Sequence, residues 1–292
     1  MDVITSTQNP KIKRLLALQE KSSERRRSGL FVVEGRRELE HCTAAGYEVE
    51  SIYLRMTNDG SQMTTDNSRY ARNDDYTSCF TVSPHVYERI AYRGSTEGVI
   101  AVVRAKTLTL ENLLSSIGKR QRTDSALPAE SDVSGTGAAL FIVLESVEKP
   151  GNLGAVLRSA DAAGATAVII CDPLTDLYNP NLIRASVGAC FTVPTVACTS
   201  DECIAFLKAN GVQILTAQLQ DSSPYYATDM TVPTAIVMGT ESTGLTDQWR
   251  QAADAHIRIP MLGRLDSLNV SVSAAILLFE AVRQRQNQQS EV

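Results

Sequence analysis

Several absences narrow the possibilities first. None of the apolar runs approaches the ~18 residues that a membrane-spanning helix requires, so no transmembrane segment is expected. The opening MDVITSTQNPKIKR has no apolar core of the kind that directs secretion. The six cysteines (Cys42, Cys79, Cys171, Cys190, Cys198 and Cys203) form no C-x-x-C pair and have no histidine at zinc spacing. Cys171, Cys190 and Cys198 sit in apolar surroundings and read as small buried hydrophobes. No metal ligands are apparent. No G-x-G-x-x-G is present around Gly151–Gly154, and no lysine follows Gly244, which argues against dinucleotide binding and a P-loop. The chain therefore reads as a cytoplasmic protein without a nucleotide-dehydrogenase or kinase signature.

What is present is ordinary in bulk and uneven in detail. At 292 residues, with 43% apolar and 21% charged, the chain is long enough for two domains and a sizeable core. Its net charge of −5 hides an asymmetry. Between Asn9 and Arg37, nine basic residues (Lys11, Lys13, Arg14, Lys21, Arg25, Arg26, Arg27, Arg36, Arg37) face three Glu. From Ala138 onward nine basic residues meet fifteen acidic ones. A local basic block on an acidic protein suits a polyanion, because phosphate binding depends on local charge. A solvated helix face is the alternative reading.

Taken in order, residues 10–28 predict a helix with Ile12, Leu15, Leu16 and Leu18 near one face. Strands at 30–35 and 49–54, a helix at 36–45, a strand at 79–83, a short helix at 84–90 and a strand at 98–105 complete a small α/β domain over residues 1–105. The polar stretch 56–78 reads as an insertion or loop. Residues 106–137, with a short helical patch at 108–117, read as a linker; KRQRTDSALPAESDVSGTG is rich in Ser, Gly, Pro and charge. A second domain spans 138–292. There strands at 138–145, 166–171, 191–196, 212–218, 234–239 and 256–260 alternate with helices at 152–163, 181–189, 201–210, 246–251 and 269–285. Such alternation predicts a mostly parallel sheet covered on both faces.

Three polar loops each follow a strand of that second sheet, where α/β proteins place their sites. The first runs through Pro150, Gly151 and Asn152 into a helix carrying Arg158. The second, VMGTESTGLT, sets Glu241 between Gly239 and Gly244. The third, IPMLGRLDSLNVSVSAA over 259–275, carries Ser267 and Asn269 at a helix start, a place that suits a polar small molecule. Each has a bland reading: Asn152 as a helix cap, Arg158 as a surface cation, Glu241 in a tight turn, S-L-N as an N-cap. Three such loops on one sheet edge are harder to attribute to chance.

Together, N-L-G-A-x-x-R, x-M-G-x-E-x-x-G-L and I-P-M-x-G-x-x-x-S-L-N-V-S-V-S-A-A closely resemble the three motifs of the SpoU (TrmH-like) branch of the SPOUT RNA methyltransferases. The resemblance covers residues 140–286. NPKIKRLLAL, FVVEG and EGVIAVV in the front half look like the family's small RNA-substrate-binding domain. Lys149 stands where an acidic residue is frequent, and the insertions at 56–78 and 118–137 are unusual; none of these is a motif residue.

The resemblance implies a SPOUT-type α/β domain with a C-terminal trefoil knot, a homodimer, and methyl transfer from S-adenosylmethionine to a ribose 2′-hydroxyl of rRNA or tRNA. Carried over by position, Gly239, Ile259, Met261 and Leu268 would hold the methyl donor. Asn152, Arg158, Glu241, Ser267 and Asn269 are nominated for catalysis. Arg158, whose guanidinium stays protonated, is favoured as a stabiliser of the developing alkoxide over a proton-accepting role. Lys11, Lys13, Arg14, Arg25, Arg26 and Arg27 are the candidate RNA-binding residues. Base methylation by another SPOUT branch, and a catalytically silent RNA-binding relative, are the competing readings.

Overall fold

The computed structural model describes residues 2–56, 78–92, 97–114, 138–240 and 242–290. They divide into two compact units, one of residues 1–106 with 176–192, the other of 107–175 with 193–292. In chain order the first holds β1 (Asp2–Ile4), α1 (Pro10–Glu20), α2 (Ser22–Ser28), β2 (Leu30–Glu34), α3 (Arg36–Ala44), β3 (Val49–Arg55), β4 (Ser78–Val82), α4 (Pro84–Ile90) and β5 (Val99–Arg104). The chain continues through β6 (Leu140–Glu145), α5 (Pro150–Ala162) and β7 (Ala167–Cys171), then α6 (Pro180–Ser186) and α7 (Ala189–Thr192). It ends with β8 (Thr195–Cys198), α8 (Ser200–Ala209), β9 (Gln213–Ala217), β10 (Ser223–Pro224), β11 (Thr234–Met238), α9 (Asp247–Ala252), β12 (Ala255–Arg258) and α10 (Val270–Ser290).

The first unit is built on a five-stranded sheet ordered β1-β4-β3-β5-β2, in which β5 runs antiparallel to both neighbours. Alternation along β2 divides its side chains between two cores. Leu30 and Val32 join Ile12, Leu15, Leu18, Val86 and Ile90, whereas Phe31 and Val33 join Leu39, Cys42, Ile183 and Phe191. The second of these cores includes residues of 176–192, a segment that sequence alone assigns to the other domain.

The helix expected over 10–28 is two helices. Asn9 starts α1 by accepting from Lys11 N at 2.9 Å, with Pro10 in its first turn. The chain then turns extended at Lys21 (φ −113°, ψ 112°) before α2, which closes on left-handed Gly29 (φ 66°). The apolar face stops at Leu18, and SSERRRS offers nothing to continue it. The guanidinium of Arg25 folds back onto Leu18 O (2.6 Å) and Gln19 O (3.1 Å), carbonyls at the end of α1.

The second unit carries a seven-stranded parallel sheet ordered β10-β12-β9-β11-β6-β7-β8. β6, β7 and β11 are buried along their whole length, as expected of strands covered on both faces. The strand expected at 191–196 is displaced: 189–192 form α7, and β8 begins at Thr195. Pro194 has no N–H to give a ladder and holds Val193 out of the helical region, so pairing starts after it. Leu113, inside the stretch read as linker, is buried in the second unit's core with Leu108 and Leu110 against it. The polar insertions expected at 56–78 and 118–137 lie almost wholly outside the described residues.

α10 packs against α5. Its far end is pinned by Arg285, whose buried guanidinium donates to Ala138 O, Ala139 O, Met230 O and Val232 O at 2.7–3.2 Å. Among the described residues no helix is long and apolar enough to cross a membrane.

Candidate functional site

The loops after β6, β11 and β12 all leave the carboxyl ends of strands in one parallel sheet. The first two line a cavity of about 140 Å³ formed by Leu144, Glu145, Ser146, Val147, Glu148, Lys149, Asn152, Gly239, Thr240, Ser242 and Val270. Gly239 is required there by space, since a Cβ on it would run into the backbone of Gly244 and Leu245. Thr240 and Gly244 close the loop on themselves as a two-residue bridge, and Thr240 Oγ1 accepts from Thr243 N at 3.0 Å.

The far end of this loop is fastened by Glu145. Its carboxylate, 3% exposed at the end of β6, accepts from Thr246 N at 2.9 Å and Thr246 Oγ1 at 2.7 Å. Neither residue is among those the motifs nominate. The available signal is a carboxylate ending an otherwise apolar strand, LFIVLE, a place that demands a partner.

Among the nominated catalytic residues, Asn152 and Asn269 meet: Asn269 Nδ2 donates to Asn152 Oδ1 at 3.2 Å. Asn269 also caps α10, accepting from Ser271 N (3.0 Å) and Ser271 Oγ (2.6 Å). Arg158 is exposed on α5 and Ser267 is exposed in the third loop. Glu241 lies outside the described residues. Of the nominated cofactor residues, only Gly239 lines the cavity; Ile259 and Met261 are half-buried and Leu268 is 42% exposed. Leu262 and Leu265 are exposed as well, so the third loop presents apolar side chains outward.

The cavity fits one end of a nucleoside-type ligand. Leu144, Val147 and Val270 give it apolar wall, Asn152 and Thr240 give polar groups, and the space at Gly239 admits close backbone approach. It is smaller than the ~300–1,000 Å³ usual for a whole ligand of that kind.

The basic block of the first unit is heterogeneous. Lys11 Nζ lies 4.7 Å from the Phe80 ring centroid, Arg14 pairs with Glu50 at 2.9 Å, and Arg27 pairs with Glu24 at 2.6 Å. Lys13 and Arg26 are exposed and have no ion pair among the described residues. Arg25 departs from the expectation: it is 5% exposed, and its Nε binds Asp176 Oδ2 at 2.6 Å. It ties 176–192 into the first unit and is not presented to a phosphate.

A parallel α/β sheet with a cavity and three motif loops at its carboxyl edge has the arrangement of an α/β ligand-binding site. Residues 139–279 match the SpoU rRNA Methylase family, and residues 9–101 match the MRM3-like substrate binding domain. The 23S rRNA (guanosine-2′-O-)-methyltransferase RlmB of Xanthomonas axonopodis pv. citri is 39% identical over 163 residues, 54% of this chain and 66% of that protein. The match thus spans just under two thirds of that relative. A crystal structure of an RNA 2′-O ribose methyltransferase is 36% identical, with TM-score 0.74 over 97% of this chain and 99% of the other. The AdoMet-bound rRNA methyltransferase from Sinorhizobium meliloti is 26% identical, with TM-score 0.79 over 97% of each chain. The chain belongs to the SpoU rRNA methylase family.

Proposed function

We propose that this protein transfers the methyl group of S-adenosylmethionine to a ribose 2′-hydroxyl of 23S rRNA, in the cytoplasm, as a homodimer with the family's knotted catalytic fold. Residues 138–292 carry the chemistry and residues 1–105 grip the RNA. The observation that carries the reading is the joining of the first and third motif loops through Asn152 and Asn269, beside a cavity that requires glycine at 239.

When bound, S-adenosylmethionine supplies an electrophilic methyl on a sulfonium. Gly239, with backbone from the loop at Ile259, Met261 and Leu268, would hold it. Asn152 and Asn269 set the two loops against each other and fix the start of α10. Arg158 is exposed on α5 and brings a guanidinium to the site. Its role is to stabilise the alkoxide developing at the 2′-oxygen and to grip the neighbouring phosphate. Ser267 and Glu241 complete the catalytic set. Correct placement of hydroxyl and methyl donor supplies much of the acceleration, because the reaction is an in-line displacement.

The outward Leu262, Leu265, Leu268, Val272 and Phe279 support a second copy over the third loop and α10. Lys11, Lys13, Arg14, Arg26 and Arg27 support RNA binding on the first unit.

The test is a map of 2′-O-methyl positions in total RNA from cells with and without the protein. One rRNA ribose methylated only when the protein is present supports the reading. A difference confined to a methylated base favours another SPOUT chemistry, and no difference favours a silent RNA-binding relative.

A further inference from the structure

Three cysteines that the methyl-transfer site does not use converge in the second unit. Cys171 ends β7, Cys198 ends β8, and Cys203 lies in α8. Cys171 and Cys198 are direct partners across the parallel ladder. The three Sγ atoms all lie within 4.8 Å of one another. Cys171 and Cys203 are fully buried, while Cys198 is half-buried and gives the cluster its access to solvent.

The segments bearing these thiols are held by their surroundings. Ser200 donates from both N (3.2 Å) and Oγ (2.6 Å) to Asp172 Oδ2, which bridges the ends of β7 and β8. Trp249 Nε1 donates to the same Ser200 Oγ at 3.0 Å. Thr199 and Glu202 form a reciprocal capping box that fixes the first turn of α8, just ahead of Cys203. Three thiols held this way form a donor set rather than a chance meeting of flexible side chains.

The donor set selects the ion. Among the described residues no imidazole or carboxylate joins the three sulfurs. Structural zinc is almost always held by four ligands, whereas thiolate donors select soft ions such as copper(I). We propose that Cys171, Cys198 and Cys203 form a trigonal thiolate site for a soft monovalent ion of the copper(I) type. Binding replaces three S–H bonds by three metal–sulfur bonds and releases three protons to solvent.

The test is an anaerobic titration of the reduced full-length protein with copper(I) against a chromophoric chelator. One equivalent held in competition is expected, with Cys198→Ser weakening it at least about tenfold and Cys42→Ser leaving it unchanged. X-ray absorption is expected to show sulfur as the only nearest neighbour of the ion. Far-UV circular dichroism and melting of Cys198→Ser separate a missing ligand from a missing fold, and Cys203→Ser gives a second reading. No stoichiometric copper(I) binding by the wild type, or equal binding by Cys198→Ser, overturns the proposal. So does an equivalent of zinc held where copper(I) is not.

Discussion

Asn269 donates its side-chain amide to Asn152 Oδ1 across 3.2 Å while its own Oδ1 accepts from Ser271 N and Oγ. One side chain thus caps α10 and couples the third motif loop to the first. The two tasks use different atoms and can be separated. Asn269→Asp keeps an Oδ1 acceptor for the cap but loses the donor to Asn152. The expected outcome is near-normal thermal stability with methyl transfer reduced at least about tenfold. Asn269→Ala loses both, and costs about 1 kcal/mol of stability as well. Denaturant unfolding and methyl-transfer assays on both variants check this.

Gly239→Ala places a methyl against the backbone of Gly244 and Leu245. Backbone cannot rotate aside as a side chain does, so the 239–246 loop must shift, at about 1–3 kcal/mol. Calorimetry is expected to show loss of S-adenosylmethionine binding, while the circular dichroism spectrum stays native. Retained affinity would remove Gly239 from the cofactor site.

Glu145→Gln removes the buried carboxylate that accepts twice from Thr246. One amide oxygen can keep the bond from Thr246 N, but the amide NH2 then requires Thr246 Oγ1 to turn from donor to acceptor, and neither bond is charge-assisted any longer. A loss of about 1–3 kcal/mol is expected, with weakened cofactor binding because the anchored loop carries Gly239. Melting curves with and without S-adenosylmethionine measure both effects, and an unchanged ligand-induced shift contradicts the anchoring role.

The basic block gives a prediction that separates Arg25 from its neighbours. Neutralising Lys13 and Arg26 should flatten the salt dependence of RNA binding, by roughly 0.7–0.9 log units for each phosphate no longer neutralised. Arg25→Ala should instead destabilise the first unit, since it leaves Asp176 and two helix-end carbonyls without their donor. An unchanged salt slope in the Lys13/Arg26 variant would move RNA capture elsewhere on the chain.

The sheets are largely legible in the sequence because fully buried strands such as FIVLE and AVIIC leave an unmistakable apolar run, and two of the three motif loops follow such runs. What is not legible is decided by tertiary packing. Nothing in PNLIRAS says that Ile183 will complete the first unit's core, or that Asp176 will receive Arg25. The clustering of Arg25, Arg26 and Arg27 suggests one surface, but helical geometry turns Arg25 inward. Glu145 and Thr246 stand far apart in sequence, so their pairing carries no local signature. Cys171 and Cys198 read singly as hydrophobes, because the crossover that brings their sulfurs together with that of Cys203 is not a spacing.

The methyl is expected on a ribose oxygen, with Arg158 acting on that oxygen and not on the cofactor. The direct measurement is transfer of labelled methyl from S-adenosylmethionine to rRNA, followed by alkaline hydrolysis, for wild type, Arg158→Ala and Arg158→Lys. The wild type is expected to give an alkali-resistant labelled dinucleotide, because a methylated 2′-oxygen cannot attack the adjacent phosphate. Arg158→Ala should give none while binding S-adenosylmethionine normally, and Arg158→Lys should rescue poorly because an ammonium lacks the planar fork. Label recovered on a base, or cofactor binding lost with Arg158, would contradict it.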